Sequence, residues 1–219
     1  MTLLFGGDSK VWEIIALSLR VSGTALAFSA LIGIPLGAWL GMARFLGRRL
    51  VVALLYTGMG FPPVVVGLVV YLLLSSSGPL GGLGLAFVPR LFTPEAMITA
   101  QIIISFPLVA GFTMAAVMGV DPELRQQLFS LGATPWQATV AILREARVGV
   151  VVSIVAGFGS IISEVGAVML VGGNIEGQTR VLTTAIVLET RQGEFTIALA
   201  LAAVLMALSF IANLIMIRL

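Results

Sequence analysis

The 219-residue sequence contains no cysteine and no histidine, and its single lysine is Lys10. Without a thiol or an imidazole there is no cysteine nucleophile, no disulfide, no histidine general base and none of the usual zinc or haem ligands. A nucleotide-hydrolysing P-loop ends in a lysine, so no such loop exists downstream of Lys10. We therefore expect no catalytic residue, no metal site and no cofactor on this chain. Any ATP and its Mg²⁺ would be bound by another chain.

Charge is also scarce. Only 10% of the residues are charged and 59% are hydrophobic, whereas roughly 25% are charged in ordinary soluble domains. Such a chain cannot cover its apolar surface in water, so its natural solvent is a lipid bilayer. The formal net charge of +2 is small and the basic residues are scattered, which argues against a nucleic-acid partner.

Long runs without charge mark the membrane crossings. Each run is long enough to cross a hydrocarbon core of about 30 Å at about 1.5 Å per residue. The sequence predicts an all-α integral membrane protein, a single transmembrane domain over residues 1–219, with five spans at about 21–43, 50–74, 96–120, 148–171 and 195–217. Pro62 and Pro63 predict a kink in the second span. Residues 9–19 suit either a short interfacial helix or the first turns of span one.

The distribution of basic residues predicts the orientation. Seven arginines flank one face and five basic residues the other, and short cytoplasmic loops carry the excess of positive charge. The N-terminus is therefore expected outside and the C-terminus in the cytoplasm. A bias this small needs independent support. The cytoplasmic arginines would be Arg44, Arg48, Arg49, Arg125, Arg144, Arg147 and Arg218.

The polar segment 121–147 between spans three and four is the most informative part of the chain. Asp121 is a good N-cap residue before Pro122, and Gly132 ends the first predicted helix. Thr134 then caps a second helix that opens at Pro135. These are the residues that helix termini favour. The sequence thus predicts a cytoplasmic helical hairpin; on composition alone, a loop packed on its own spans is the alternative.

This hairpin resembles the coupling loop of ABC-importer permeases, whose signature is Glu-Ala-Ala, three residues, Gly, nine residues, then Ile-x-Leu-Pro. Nine residues separate Gly132 from Ile142, and the run from Gly132 to Trp136 is similar to the Gly-Ala-Ser/Thr-Pro-Trp segment of that family. The departures from the signature are Gln126, Gln127, Leu128, Arg144 and Glu145.

The resemblance implies that the hairpin docks in a cleft of a separate ATPase subunit, as an amphipathic helix in a groove. It also implies a cytoplasmic position for the hairpin, in agreement with the orientation predicted above. The implied centre of the contact is Leu128, Phe129, Leu131, Gly132, Ala133 and Thr134.

Glu164 lies inside the predicted fourth span. An ionisable group there costs about 2.5–3.5 kcal/mol on insertion scales, so it must face protein, a partner subunit or water. Ser160 and Ser163 share a face of small residues with Glu164, and such a face is either a dimer contact or the lining of a narrow path. The alternative for Glu164 is a hydrogen bond to neighbouring backbone or hydroxyl groups.

The stretch from Ser163 to Ala202 resembles tungstate permease subunits and, less closely, molybdate permeases. They share a Glu-x-Gly-Ala element, a Gly-Asn-Ile-x-Gly turn and a following threonine. With the hairpin and the run from Gly33 to Gly37, the resemblance covers nearly the whole chain. The matching residues are Glu164, Gly166, Ala167, Gly173, Asn174, Ile175, Gly177 and Thr179.

The resemblance implies a multi-pass importer subunit for tungstate or a related oxyanion in a prokaryotic plasma (inner) membrane. It implies a homodimer in membrane lipid with two ABC ATPase subunits and an extracytoplasmic oxyanion-binding protein. Tungstate, molybdate and sulfate are not distinguished. The rival hypothesis is a carrier or channel driven by an ion gradient that uses Glu164, but such a carrier has no reason to present a coupling hairpin.

An oxyanion path has modest independent support. Glycines let backbone N–H groups converge, and polar side chains add donors, which a tetrahedral dianion needs. A carboxylate on that path would repel the anion, so Glu164 is expected to brace or gate. The alternative is an ordinary extracytoplasmic turn in which Arg180 meets Glu176 or the acidic rim of a partner. The candidate path residues are Ser160, Ser163, Glu164, Gly173, Asn174, Thr179, Arg180 and Thr183.

Overall fold

The structure is a computed structural model that describes residues 9–85 and 87–218. Within these ranges the chain forms helices and turns and no strand. The helices are α1 Ser9–Met42, α2 Arg48–Met59, α3 Pro63–Leu74, α4 Pro94–Met118, α5 Pro122–Ser130, α6 Pro135–Glu145, α7 Arg147–Ile162, α8 Gly166–Gly172, α9 Leu182–Gln192 and α10 Phe195–Arg218, with a 3₁₀ turn at Gly81–Leu83.

Three helices, α1, α4 and α10, are long and apolar enough to cross a membrane, and there are up to five crossings if each bent helix pair counts as one span. The bent pairs are α2 with α3 and α6 with α7. The predicted third and fifth spans coincide with α4 and α10. The all-helical membrane architecture is thus confirmed, with three to five candidate spans.

Helix α1 is continuous over 34 residues. Residues 9–19 are therefore its first turns, the second of the two predicted possibilities. Trp12 and Trp39 are both exposed on this helix and lie about 40 Å apart along its axis at 1.5 Å per residue. That separation approaches the full bilayer thickness of about 40–45 Å, and tryptophan favours both interfaces.

The kink predicted in the second span is a complete break. Helix α2 ends at Met59, α3 begins at Pro63, and the chain bends by 101° between them. Pro62 is extended, with φ −62° and ψ 122°, because a residue that precedes proline is pushed out of the helical region. Two consecutive prolines therefore end one helix and start another.

The continuous helix expected over 148–171 is not present. Helix α7 ends at Ile162 and α8 begins at Gly166, so Glu164 lies in a break between two helices rather than within one. The physical reason is that Glu164 satisfies the backbone of α8, as described below. This break positions the candidate site.

The core forms where α1 packs along α4. Gly33, Gly37 and Gly41 follow one face of α1, and a Cβ atom added at any of them would press on α4 side chains or backbone. Small residues at this spacing let two membrane helices approach closely. Helix α7 packs on α4 from another side, and α3 crosses α8.

Helix α10 is largely uncovered by the residues that the structure describes. In that part of the chain its buried residues are Ala198 and Leu201, and Leu201 packs with α9 and the first turns of α1. Large apolar side chains such as Met206 and Phe210 are exposed. This face is available to lipid or to another chain.

Candidate functional site

The hairpin of α5 and α6 forms as predicted. The Asp121 side chain accepts a hydrogen bond from the Glu123 N–H at 2.8 Å, which caps α5. Thr134 Oγ1 accepts from the Gln137 N–H at 3.3 Å and Gln137 Oε1 accepts from the Thr134 N–H at 2.8 Å. This reciprocal pair is a capping box that satisfies two N-terminal donors of α6.

The turn between these helices depends on Gly132. Its φ is +83°, a left-handed conformation that side chains with a Cβ rarely adopt. The Ala133 N–H donates to the Leu128 carbonyl and the Gly132 N–H to the Phe129 carbonyl, both at 3.0 Å. These two bonds are the Schellman arrangement that closes a helix C-terminus.

The hairpin exposes three large apolar side chains. Phe129 is 43% exposed, Leu131 85% and Trp136 75%. Leu128 instead packs inside the chain, against the cluster that contains Ile142. Of the six predicted contact positions, Phe129 and Leu131 therefore form an exposed apolar tip, whereas Leu128 does not contribute to it. The prediction did not include Trp136, although the motif itself carried that tryptophan.

Two arginines bind carbonyl groups at the end of α1, Arg125 from the hairpin and Arg48 from the start of α2. Arg125 Nη1 donates to the Met42 carbonyl at 2.9 Å, and its guanidinium carbon lies 5.8 Å from the centre of the Phe129 ring, within cation–π range. Arg48 Nε donates to the Leu40 carbonyl at 2.9 Å. The arginines satisfy carbonyl groups that a helix C-terminus leaves without intrahelical partners.

Glu164 is 9% exposed and holds the break between α7 and α8. Its Oε1 accepts from the Ala167 N–H at 2.9 Å, so the carboxylate caps the positive end of α8. Its backbone carbonyl accepts from Thr183 Oγ1 at 2.9 Å. The structure thus brings Glu164 and Thr183 together. Ser163 is exposed and donates to the Gly159 carbonyl at 2.8 Å, within its own helix.

Thr183 reaches Glu164 because residues 182–192 form helix α9, which the sequence analysis did not predict. Thr184 Oγ1 accepts from the Val181 N–H at 3.1 Å, and Gly193 follows the helix with φ +83°. A terminal glycine is a helix boundary signal, and it was available in the sequence.

The loop between α8 and α9 carries the other predicted path residues. Gly173, Asn174 and Gly177 all have positive φ, so the chain turns sharply here. Thr179 is fully buried; its hydroxyl donates to the Gly172 carbonyl at 2.5 Å and accepts from the Ile175 N–H at 3.0 Å. The Thr179 hydroxyl therefore bridges two backbone groups of the loop.

An ion cluster joins this loop to the start of α1. Lys10 Nζ lies 2.9 Å from Glu176 Oε1, and Arg180 Nη1 lies 3.4 Å from Glu176 Oε2. The hydrogen bond and positive charge of Lys10 hold the pKa of the Glu176 carboxyl below its usual value. The contact between Arg180 and Glu176 is the one that the alternative of an ordinary turn predicts.

Two polar atoms of this loop are left available. Arg180 Nε and Asn174 Oδ1 are buried and have no hydrogen-bond partner in the described part of the chain. Arg180 Nε is a donor that a bound anion would satisfy. The predicted path residues thus separate into the Glu164–Thr183 junction and the loop that carries Gly173, Asn174, Thr179 and Arg180.

Comparison with known proteins gives consistent matches. A family model described as "Binding-protein-dependent transport system inner membrane component" matches residues 33–219. The "Probable anion ABC transporter permease protein" of Haloferax volcanii is 46% identical over 201 residues, which cover 90% of this chain and 84% of that protein. The "Tungstate uptake system permease protein TupB" of Peptoclostridium acidaminophilum is 43% identical over 213 residues, 97% of this chain and 91% of that protein.

A solved structure also matches along nearly the whole chain. It is a bacterial ABC transporter involved in the import of the acidic polysaccharide alginate, with a TM-score of 0.73 and 25% identity. The match covers 99% of this chain and 82% of the other.

Proposed function

The chain belongs to the binding-protein-dependent transport system inner membrane component family, and from that premise we propose that it carries tungstate, or a related oxyanion such as molybdate, across the membrane. It is a membrane permease subunit of an ABC importer and hydrolyses no ATP itself, since hydrolysis belongs to the partner subunit. A carrier driven by an ion gradient is not favoured, because the relatives are ABC transporter permeases.

The choice of cargo rests on one observation: the chain is 43% identical to a permease that is named for tungstate uptake. Arg180 Nε supports it locally as a buried donor with no hydrogen-bond partner among residues 9–85 and 87–218. The test is uptake of radiolabelled tungstate into proteoliposomes that contain this chain, its ATPase and its binding protein. We expect uptake only with ATP on the ATPase side and resistance to excess molybdate. Uptake by the chain alone along an ion gradient would overturn the proposal.

The proposed topology has five spans with the N-terminus outside and the C-terminus inside. The lengths of α1, α4 and α10 and the bent pair α2–α3 support it; α7 with α8 would supply the remaining crossing. The chain has no cysteine, so single cysteines can be introduced directly. Ser76→Cys should react with an impermeant maleimide in intact cells, and Ser130→Cys only after permeabilisation. The reverse labelling pattern would mean that the N-terminus is inside and the C-terminus outside.

The proposed assembly is a homodimer with two ABC ATPase subunits, which bind ATP and Mg²⁺, and an extracytoplasmic binding protein. The uncovered face of α10 supports a chain-to-chain contact, and the exposed tip at Phe129, Leu131 and Trp136 supports contact of the hairpin with an ATPase. Burial of such side chains by a partner groove is favourable. The proposed contact centre remains Leu128, Phe129, Leu131, Gly132, Ala133 and Thr134.

The hairpin contact is tested by Gly132→Trp, which should block association with the ATPase but leave membrane insertion intact. Gly193→Trp is the matched control, because both glycines have φ +83° and open space where a Cβ would lie. Backbone strain is therefore equal in the two variants, and Gly193 lies outside the hairpin. Normal ATPase copurification with Gly132→Trp, or equal loss with Gly193→Trp, would contradict the assignment.

Glu164 is proposed to brace or gate the path rather than to bind the anion. Its position at a helix break supports this role, since a capping carboxylate can hold α8 in place. Glu164→Gln keeps a capping oxygen and removes the charge. We expect a loss of anion-stimulated ATP hydrolysis and of uptake; survival of both would show that the charge is dispensable. The proposed path or gating residues are Ser160, Ser163, Glu164, Gly173, Asn174, Thr179, Arg180 and Thr183.

A further inference from the structure

A small cavity lies where α1, α4, the α7–α8 break and the start of α9 meet. Its volume, as space open to the centre of a water molecule, is about 10 Å³, which is the room that one buried water requires. Its polar lining residues are Ser18, Ser22, Gln101, Glu164 and Thr183, each at least nine-tenths buried. Cavities that stay empty in proteins are apolar, and this one is not.

Gln101 of α4 is the residue that needs a ligand. It is 3% exposed, and its Nε2 donates to the Ile161 carbonyl at 3.1 Å. Its Oε1 is buried and has no hydrogen-bond partner among residues 9–85 and 87–218. A buried acceptor without a donor is costly and rare in native structures. The amide oxygen therefore requires a donor from the cavity.

Two of the three hydroxyl groups that line the cavity, those of Ser18 and Thr183, have already used their protons. The Ser18 hydroxyl donates to the Ile14 carbonyl at 2.7 Å, and the Thr183 hydroxyl donates to the Glu164 carbonyl at 2.9 Å. The Glu164 carboxylate adds two acceptor oxygens, of which Oε1 receives the Ala167 N–H. The cavity wall thus presents acceptors in excess of free donors.

We propose that this cavity binds one water molecule, which donates to Gln101 Oε1 and to the Glu164 carboxylate. A water has two donors for these two acceptors, and the cavity has room for one. It joins α4 to the break between α7 and α8, where Glu164 already holds α8 and α9. The bound water thereby adds to the polar junction that the Gln101–Ile161 and Thr183–Glu164 hydrogen bonds already form among these elements.

The test is X-ray radiolysis of the full chain in lipid nanodiscs, with mass spectrometry to locate oxidised side chains. Radicals formed from a bound water oxidise the residues that touch it. Leu182 lines the cavity, whereas Leu40 is equally buried in another cluster. We expect Leu182 to be oxidised several-fold faster than Leu40. Equal rates would mean a dry cavity and overturn the proposal.

Two variants sharpen this comparison. Gln101→Leu removes the acceptor and should lower Leu182 oxidation to the Leu40 rate, while Gln101→Glu keeps an acceptor oxygen and should preserve fast oxidation. If Gln101→Leu fails to fold, the wild-type comparison of Leu182 with Leu40 still decides. A higher melting temperature in sodium chloride than in choline chloride, abolished by Glu164→Gln, would identify a cation as the occupant and also overturn the proposal.

Discussion

The crossing of α3 and α8 offers a sharp test of the packing, because it depends on the absence of a side chain at Gly67. A Cβ atom at this position would lie 2.5 Å from Cα and 3.0 Å from Cβ of Ala167. The nearer atom belongs to the backbone of α8 and cannot rotate away. Gly67→Ala must therefore push α3 and α8 apart, next to the two helix breaks.

The magnitude follows from comparison with Gly23→Ala. Gly23 lies within α1 and has no atom within 4 Å of an added Cβ. Alanine in place of glycine in a helix interior stabilises both variants by about 0.5–1 kcal/mol. Only Gly67→Ala is also destabilised, by about 1–3 kcal/mol, through overpacking. The free energies of unfolding of the two variants should therefore differ by about 1–3 kcal/mol. For a chain of this size, each kcal/mol shifts Tm by about 2–4 °C.

The assay is thermal unfolding of wild type and both variants in the same nanodiscs. Gly67→Ala should melt below Gly23→Ala and below wild type. Adding Ala167→Gly should restore only part of the loss, because it removes the 3.0 Å contact and leaves the 2.5 Å contact with Cα. If Gly67→Ala and Gly23→Ala have the same Tm, the close crossing of α3 and α8 is refuted.

Three further predictions concern the hairpin and the outer ion cluster. Thr134→Ala should speed hydrogen exchange in the first turn of α6 about fivefold, since a lost cap costs about 1 kcal/mol, whereas Thr134→Ser should not. Arg125→Gln removes the bond to the Met42 carbonyl and should raise the ATP consumed per anion transported; an unchanged ratio would mean that this bond transmits nothing. The lowered pKa of Glu176 means that its pair with Lys10 persists above the usual glutamate pKa and is lost as pH falls through the lowered value. Acidification below the usual glutamate pKa should therefore lower the Tm of wild type more than that of Glu176→Gln.

The hairpin could be predicted in detail because its signals act over short distances. The caps at Asp121 and Thr134 bond to backbone two or three residues away, and Gly132 closes α5 through its own φ. Such features require no knowledge of the remaining fold. The apolar runs similarly predicted α4 and α10, because length and hydropathy are properties of one segment.

The breaks and the site depended on contacts that the sequence does not reveal. No proline lies near Glu164, and the break there is held partly by Thr183, 19 positions later. Helix α9 was missed because it is too polar and short to resemble a span. Thr179 was predicted to donate to an anion, but in the structure its hydroxyl donates to the Gly172 carbonyl. Only at the Glu164 break did a contact between separate elements decide the outcome.

The continuity of α1 has a mechanical consequence. One helix of about 50 Å at 1.5 Å per residue receives Arg125 of the hairpin at Met42 and meets the Glu176 loop at Lys10. A displacement imposed at the hairpin therefore reaches the opposite end through a single rod. Pro35 lies within this rod and lacks the N–H that would complete its turn. The missing hydrogen bond makes Pro35 an easily bent position of this helix, and bending there would reduce the movement that passes from one end to the other.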